Sequence, residues 1–202
     1  HSPEFFCDRK NETKTIISAL HNGRNVTLIA PRRMGKTGLI HHSFYNIKEE
    51  NAEIITLYMD ILSTQNLGDF VKLFAETVLE KLDFAIDITS ANEESTLKEV
   101  FNYLASSEKR CYIAIDEFQQ ITEYPEKGVE ALLRSYIQFL PNVNFIFAGS
   151  KKHIMQKMFT SSTRPFYQST QILTIGEVER QEYANFATEN FAKKNLKISE
   201  DT

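Results

Sequence analysis

The chain has 202 residues, of which 42% are hydrophobic and 25% are charged, and its net charge is −4. This length and composition predict one large folded domain and exclude a disordered chain. The charge balance excludes a global basic field that would attract nucleic acid, and no apolar run approaches the roughly 20 residues that cross a bilayer.

Strand patterns alternate with helix patterns along the chain. Asp8 can cap a first helix, which Asn22-Gly23 ends. The strands are predicted at Val26 to Ala30, Ile54 to Met59, Cys111 to Ile121, Asn144 to Gly149 and Gln171 to Ile175, and the apolar part of the third ends in Asp116-Glu117. The later helices are predicted from Thr37 to about Lys48, from a Thr64 cap through Leu67 to Leu82, from Leu97 to Leu104, from Val129 to Leu140, from Ile154 to Phe159 and from Tyr183 to Phe191. This alternation predicts a mainly parallel sheet covered by helices on both faces.

The segment PRRMGKT, which follows the first strand and opens a helix, is predicted to bind phosphate. Its Gly35-Lys36-Thr37 matches the end of a phosphate-binding loop, in which backbone N–H groups and a helix N-terminus face an anion. Lys36 is expected to face solvent until it reaches the β- and γ-phosphates, and the Thr37 hydroxyl is expected to ligate Mg²⁺. Ala30 stands where this pattern usually has its first glycine, so a degenerate fold that binds no nucleotide stays open.

The residues around the Gly-Lys-Thr group extend the predicted contact with nucleotide over positions 31–38. Arg32 and Arg33 add positive potential beside the phosphates, or they pair with acidic residues of the same domain. Pro31, Met34 and Gly38 complete the predicted contact segment.

Two carboxylates follow the Cys111 strand, at the edge where open α/β sheets bind ligands. Asp116 is predicted to hold the Mg²⁺ shell, and Glu117 to accept a proton from the attacking water or to orient it. A solvated strand end is the alternative for this pair. Ser150 ends the next strand and either donates to the γ-phosphate or the water, or is an ordinary turn serine. Arg164 either approaches phosphate from a neighbouring subunit of a homo-oligomer or pairs with carboxylates or water on the surface.

The sequence gives little support for a metal site or for a guanine-binding site. His41, His42 and His153 form no tetrahedral metal-ligand set, and no Asn-Lys-x-Asp segment indicates guanine. Cys7 and Cys111 have neither metal-ligand nor disulfide spacing, which favours free thiols in a soluble, cytoplasmic protein without membrane association. The polar tail that follows the last helical pattern leads us to expect that more protein follows.

Four segments together resemble the archaeal-type ATPase family of the STAND and AAA+ branches of P-loop ATPases, relatives of origin-recognition ATPases. They are Phe6-Cys7-Asp8-Arg9-Lys10-Asn11-Glu12, Pro31-Arg32-Arg33-Met34-Gly35-Lys36-Thr37, Ile115-Asp116-Glu117-Phe118-Gln119 and Ala148-Gly149-Ser150. They span most of the chain, and the doubled arginine and the Asp-Glu-Phe are more specific than a bare phosphate loop.

The resemblance implies an α/β three-layer sandwich with a mainly parallel five-stranded sheet of order 5-1-4-3-2 and ATP across its carboxyl edge. It implies that Glu117 is the catalytic carboxylate, that Ser150 is in the first-sensor position, and that Asp8 and Arg9 lie near the adenine. It also implies an ATPase core over residues 1–176, the start of a truncated helical lid over 177–202, and a protein or DNA partner bound through a missing C-terminal module.

The sequence therefore favours Mg²⁺-dependent binding and hydrolysis of ATP, coupled to a conformational change, with ADP as the product. The alternative is a nucleotide-dependent switch that does not hydrolyse ATP, or a scaffold for protein or DNA partners. A catalytic carboxylate favours the enzyme, since a switch needs none.

Overall fold

The structure is a computed structural model, which describes residues 9–82, 92–177 and 180–193. Its elements in chain order are α1 Lys10–His21, β1 Val26–Ile29, α2 Lys36–Glu50, β2 Ile55–Asp60, α3 Leu67–Leu82, α4 Glu93–Ser106, β3 Cys111–Asp116, a 3₁₀-helix Phe118–Glu123, α5 Val129–Ile137, β4 Val143–Gly149, α6 Lys152–Thr160, β5 Gln171–Thr174 and α7 Arg180–Lys193. Asp8 and Cys7 lie outside the described residues, and so does the predicted Asp8 cap.

The five strands form one parallel sheet in the order β2-β3-β4-β1-β5. Read from the other edge this is 5-1-4-3-2, so the predicted strand order is confirmed. The order places β4 between β1 and β3. Because the strands are parallel, the carboxyl ends of these three lie side by side.

The core has two layers, one on each face of the sheet. Successive residues of β3 alternate between them, as the two-residue period of a strand requires: Ile113 and Ile115 pack on one face, and Tyr112 and Ala114 on the other. Helices α1 and α2 cover the second face, and α3, α4, α5 and α6 cover the first. The predicted covering of both faces is confirmed, and β1, β3 and β4 are the three inner strands of the sheet.

The start of α3 differs from its prediction. Thr64 is not its cap, because its hydroxyl donates to the Ile61 carbonyl and contacts the Tyr124 hydroxyl in the interior. Asn66 takes that role, with its side-chain oxygen accepting from the Asp69 N–H at 2.8 Å. The Asp69 carboxylate in turn accepts from the Gln65 N–H at 2.8 Å.

None of the helices within the described ranges is both long and apolar enough to cross a membrane.

Candidate active site

Polar side chains gather where β1, β3 and β4 end. The loop after β1 leads into Lys36 and Thr37, the first two residues of α2, while Asp116 ends β3 and Glu117 follows it. Ser150 follows β4 directly. The structure therefore brings together five residues that the sequence analysis singled out.

The loop before α2 has the backbone geometry of an anion-binding turn. Gly35 has φ +77° and occupies the N-cap of α2, in the left-handed region that costs glycine no steric strain. Arg33 also has a positive φ, +68°. The N–H groups of the first turn have no acceptor within the helix, and the helix dipole adds partial positive charge there. This end of α2 therefore favours a negatively charged ligand.

Lys36 does not face solvent, and the expectation that it would is wrong. Its side chain is only 8% exposed, and Nζ lies 2.8 Å from Asp116 Oδ1 and 2.8 Å from Glu117 Oε1. A buried ammonium is stable only beside negative charge, and two adjacent carboxylates supply that charge here. Lys36 therefore links the phosphate-binding loop to the end of β3.

Asp116 accepts hydrogen bonds on both carboxylate oxygens. Oδ2 accepts from the Thr37 hydroxyl at 2.8 Å and from the Tyr58 hydroxyl at 3.0 Å, and Oδ1 accepts from the Glu117 N–H at 2.8 Å. Burial, followed by the Asp116 charge, raises the pKa of Tyr58, so its hydroxyl stays a donor. These hydrogen bonds hold the Asp116 carboxylate in one orientation.

The Thr37 hydroxyl and the Asp116 carboxylate form an oxygen donor pair of the kind that Mg²⁺ prefers. Within the described ranges, no group of three or more His, Cys, Asp or Glu side chains is arranged to hold a metal ion. A donor pair fits Mg²⁺ nevertheless, because this ion keeps several waters and usually takes one or two carboxylates together with substrate phosphates.

Glu117 combines a left-handed backbone with three hydrogen bonds to its carboxylate. Its backbone is left-handed, with φ +56° and ψ +37°, which is uncommon for a residue with a side chain. Its Oε1 accepts from Lys36, whereas Oε2 accepts from Gln119 Nε2 at 2.5 Å and from the Ser150 hydroxyl at 2.7 Å. Burial alone would raise the pKa of Glu117, but the hydrogen bonds from Lys36, Gln119 and Ser150 outweigh it and lower the pKa to about 2.

This low pKa predicts how the stability of the protein depends on pH, in buffer without nucleotide or divalent cation. The pKa of Glu117 lies below its ordinary value of 4.5, so the unfolded chain binds the proton more readily than the folded one. The stabilisation, on the order of 3 kcal/mol, is present above pH 4.5 and is lost as the pH falls towards 2. Urea unfolding at pH 7 and at pH 3 measures it. Glu117→Gln should lose less stability between these two values, and equal losses in both proteins would contradict the assignment.

Arg9 connects three segments of the chain. Its guanidinium is almost fully buried and donates to the Met34 carbonyl at 3.1 Å, to the Gly176 carbonyl at 2.9 Å and to Glu12 at 3.1 Å. Met34 belongs to the phosphate-binding loop, and Gly176 lies between β5 and α7. Arg9 therefore ties the loop to the segment that leads into α7.

The other three arginines that the sequence analysis singled out differ in exposure and in their ion pairs. Arg32 and Arg33 are exposed, and neither makes an ion pair within residues 9–82, 92–177 and 180–193. Arg164 donates from Nε to Glu130 Oε2 at 3.1 Å and also pairs through its terminal nitrogen with Oε1. Its paired geometry agrees with the surface alternative, while a role towards a neighbouring subunit stays a prediction.

Two residues of the site were not predicted, and both have signals in the sequence. Gln119 lies two positions after Glu117, within the Ile-Asp-Glu-Phe-Gln segment. Tyr58 lies in β2, whose register pairs it with Ala114 and pairs Asp60 with Asp116. The rule that ligands bind at the carboxyl ends of parallel strands applies to β2 as well, and would have drawn attention to Tyr58.

In a comparison with protein families, residues 6–202 match the model of an ATPase domain predominantly from Archaea. No curated protein sequence matches the chain.

The fold is similar to that of several solved structures. The Walker-type ATPase PABY2304 of Pyrococcus abyssi has a TM-score of 0.71 at 19% identity, over 98% of this chain and 62% of its own. The ORC2 protein of Aeropyrum pernix, solved in ADPNP–ADP complexes, has a TM-score of 0.75 at 16% identity, over 95% and 54%. The ORC1 protein of the same organism, solved in complex with DNA, has a TM-score of 0.73 at 14% identity, over 95% and 51%. The chain thus spans only about half to three fifths of the length of these proteins.

Proposed function

Because the chain belongs to the family of ATPase domains found predominantly in Archaea, we propose that it binds ATP with Mg²⁺ and hydrolyses the β–γ phosphoanhydride. The observation that carries this proposal is the convergence of Lys36, Thr37, Asp116 and Glu117 within hydrogen-bond distance beside the N-terminus of α2. Phosphoryl transfer needs a cation, a metal-binding oxygen pair and a carboxylate near water, and this group supplies all three.

Phosphate binding is assigned to the start of α2 and the loop before it. The backbone N–H groups around Gly35 face the anion, and Lys36 exchanges its carboxylate partners for the β- and γ-phosphates. Charge-assisted hydrogen bonds of this kind are about twice as strong as neutral ones. The exposed Arg32 and Arg33 attract the nucleotide to the loop. Pro31, Met34 and Gly38 complete the segment that contacts the nucleotide.

Thr37 Oγ1 and Asp116 Oδ2 would hold Mg²⁺. When bound, the ion neutralises charge that develops on the phosphate oxygens. Tyr58 keeps Asp116 oriented through its hydrogen bond to Oδ2.

Glu117 is assigned the role of general base. It orients water against the γ-phosphorus and accepts its proton. The Ser150 hydroxyl, which donates to the same carboxylate at 2.7 Å, is assigned to donate to the transferred phosphate instead when ATP is bound.

Conformational coupling is the next part of the proposal, and Arg9 supports it. Its guanidinium bonds the carbonyl of Met34 and the carbonyl of Gly176 with the same nitrogen. When ATP binding shifts the phosphate-binding loop, Arg9 therefore moves the segment before α7 together with it. We assign residues 1–176 to the ATPase core and 177–202 to the beginning of a helical lid.

Replacing Arg9 by Met should uncouple the two segments while keeping much of the side chain's apolar volume. In the wild-type protein, ATP is expected to slow amide hydrogen exchange in α7, because the loop and the segment at Gly176 then become ordered together. In Arg9→Met this slowing should disappear even at a concentration of ATP that saturates the variant. Arg24→Met, on an exposed loop residue, is the matched control. Equal ATP-dependent protection of α7 in all three proteins would contradict the coupling.

A switch that binds ATP without turnover is the second candidate, and one observation favours it. A carboxylate that accepts three hydrogen bonds and has a pKa of about 2 is a weak base until a donor leaves. Titration with Mg²⁺-ATP, followed by both binding and phosphate release, separates the candidates. Binding with release supports the enzyme, binding alone supports the switch, and absence of binding excludes both.

Partners of the whole protein are proposed from its relatives. The ORC1 structure contains DNA, and the present chain spans about half of that protein's length. A DNA or protein partner would then be bound by a further module. Arg164 would have to leave Glu130 before it could reach phosphate in a second subunit of a homo-oligomer.

A further inference from the structure

We propose that Gln119 is a positioning residue that anchors Oε2 of Glu117, so that the other oxygen, Oε1, accepts the proton of the attacking water. This inference rests on the proposed function and assigns different roles to the two oxygens of the base.

The two carboxylate oxygens of Glu117 have different partners. Oε2 accepts from the Gln119 amide at 2.5 Å and from the Ser150 hydroxyl at 2.7 Å. Oε1 accepts from Lys36 Nζ at 2.8 Å. Lys36 is proposed to move to phosphate, and the Ser150 hydroxyl is proposed to donate to the transferred phosphate, whereas the neutral Gln119 amide has no such alternative. When ATP binds, Oε1 therefore loses its donor, and Oε2 keeps the Gln119 amide.

Packing around Gln119 holds its amide in one place. The residue is only 1% exposed, at the start of the 3₁₀-helix. A Cβ atom at Gly149 would lie 2.3 Å from Gln119 Oε1 and 2.6 Å from the Met155 side chain, so a larger residue at 149 would push the amide away. The end of β4 is thus shaped to accept this side chain.

The amide of Gln119 is not explained by stability alone. Among the described residues its Oε1 has no hydrogen-bond partner, although the atom is buried. An unsatisfied buried acceptor is destabilising, and an apolar side chain of similar size would avoid that cost. The benefit of a glutamine here is its donor, and that donor is directed at Glu117.

Anchoring matters because a carboxylate rotates easily about its last bond. A general base must keep its acceptor within about 0.5 Å of the productive position. In the proposed step, a lone pair of Oε1 takes a proton from water as the water oxygen bonds to the γ-phosphorus. The bond between this phosphorus and the bridging oxygen breaks, and its electron pair leaves with ADP. The proton then passes from Glu117 to solvent.

Gln119→Met tests the proposal, because methionine has a similar size and no amide donor. We expect its kcat to fall roughly ten- to a hundred-fold, as for the loss of a hydrogen bond to a charged group, while KM and ATP affinity stay within about two-fold. Gln120→Met is the matched control, since the side chain of this neighbour donates to the Thr64 carbonyl at 3.1 Å and not to the Glu117 carboxylate. An equal fall in both variants, or a rise in KM alone, would overturn the proposal.

A second measurement does not depend on turnover. In ¹⁵N-labelled protein, the side-chain amide signal of Gln119, assigned by its loss in Gln119→Met, should lie downfield and should shift in Glu117→Gln. Adding Mg²⁺ with a non-hydrolysable ATP analogue should leave it downfield, since Oε2 stays anchored. If the analogue moves the signal to its position in Glu117→Gln, the anchor is released and the proposal fails. A wild-type protein that hydrolyses no ATP would instead contradict the proposed function, and with it the role of Oε1.

Discussion

Replacing Glu117 by Gln is expected to lower ATP turnover by about 10²- to 10⁴-fold, the usual contribution of a general base. The amide keeps the size and shape of the side chain but cannot take a proton from water. Lys36, Thr37 and Asp116 remain in place to hold nucleotide and Mg²⁺, so the affinity for ATP should change little. Bound ATP should therefore accumulate, which a filter-binding assay with labelled nucleotide measures alongside phosphate release.

Glu123→Gln is the control for this experiment. Glu123 ends the 3₁₀-helix that follows Glu117, and its carboxylate is half exposed and pairs with Lys151 at 3.2 Å. Removing its charge should leave turnover unchanged. If Glu117→Gln hydrolyses ATP as fast as the wild type, Glu117 is only a carboxylate at the end of a strand, and the switch becomes the better interpretation.

Replacing Lys36 by Ala is expected to weaken both ATP binding and the fold. Loss of a charge-assisted bond to phosphate should lower the affinity roughly ten- to a hundred-fold. The same change leaves Asp116 and Glu117 without their shared cation in a buried site. Breaking one side of a buried ion pair costs about 3 to 5 kcal/mol in the free energy of unfolding. Urea unfolding measures the second effect, and affinity is measured at a temperature where the variant is still folded.

Lys151→Ala is the control, because it shows how much stability is lost when an exposed lysine is removed. Its ion pair with Glu123 is half exposed on both sides, so removing it should cost less than about 1 kcal/mol. The double variant Lys36→Ala/Glu117→Gln should regain part of the lost stability, because one of the two uncompensated charges is then gone. Unchanged stability and unchanged affinity in Lys36→Ala would contradict both the ion pair and the phosphate-binding role.

Much of the fold follows from local patterns in the sequence. The apolar run at β1 and the Gly-Lys-Thr that follows it predict a strand, a turn and a helix within a dozen residues. The apolar run that ends at Asp116 predicts a buried strand with two carboxylates at its carboxyl end. The strand order was implied by the family resemblance rather than by these patterns, because periodicity does not say which strands are neighbours.

The contacts of the site were harder to predict, because each joins residues far apart in the chain. Lys36 and Glu117 are separated by 81 positions, so the burial of the lysine depends on how α2 is set against β3. Arg9 and Gly176 are separated by 167 positions. Thr64 has the residue type of a helix cap, but its contact with Tyr124 lies across the interior. Residue type indicates what a side chain can bond, and only the packed fold decides which partner it reaches.

The central claim, that ATP and Mg²⁺ bind where β1, β3 and β4 end, is tested most directly by a crystal structure of Glu117→Gln with Mg²⁺-ATP. The account predicts that Lys36 Nζ has left Asp116 and contacts the β- and γ-phosphates, with the N–H groups around Gly35 on the same oxygens. It also predicts the metal ion beside Thr37 Oγ1 and Asp116. Nucleotide bound elsewhere on the molecule, or bound with Lys36 still paired to Asp116, would contradict it.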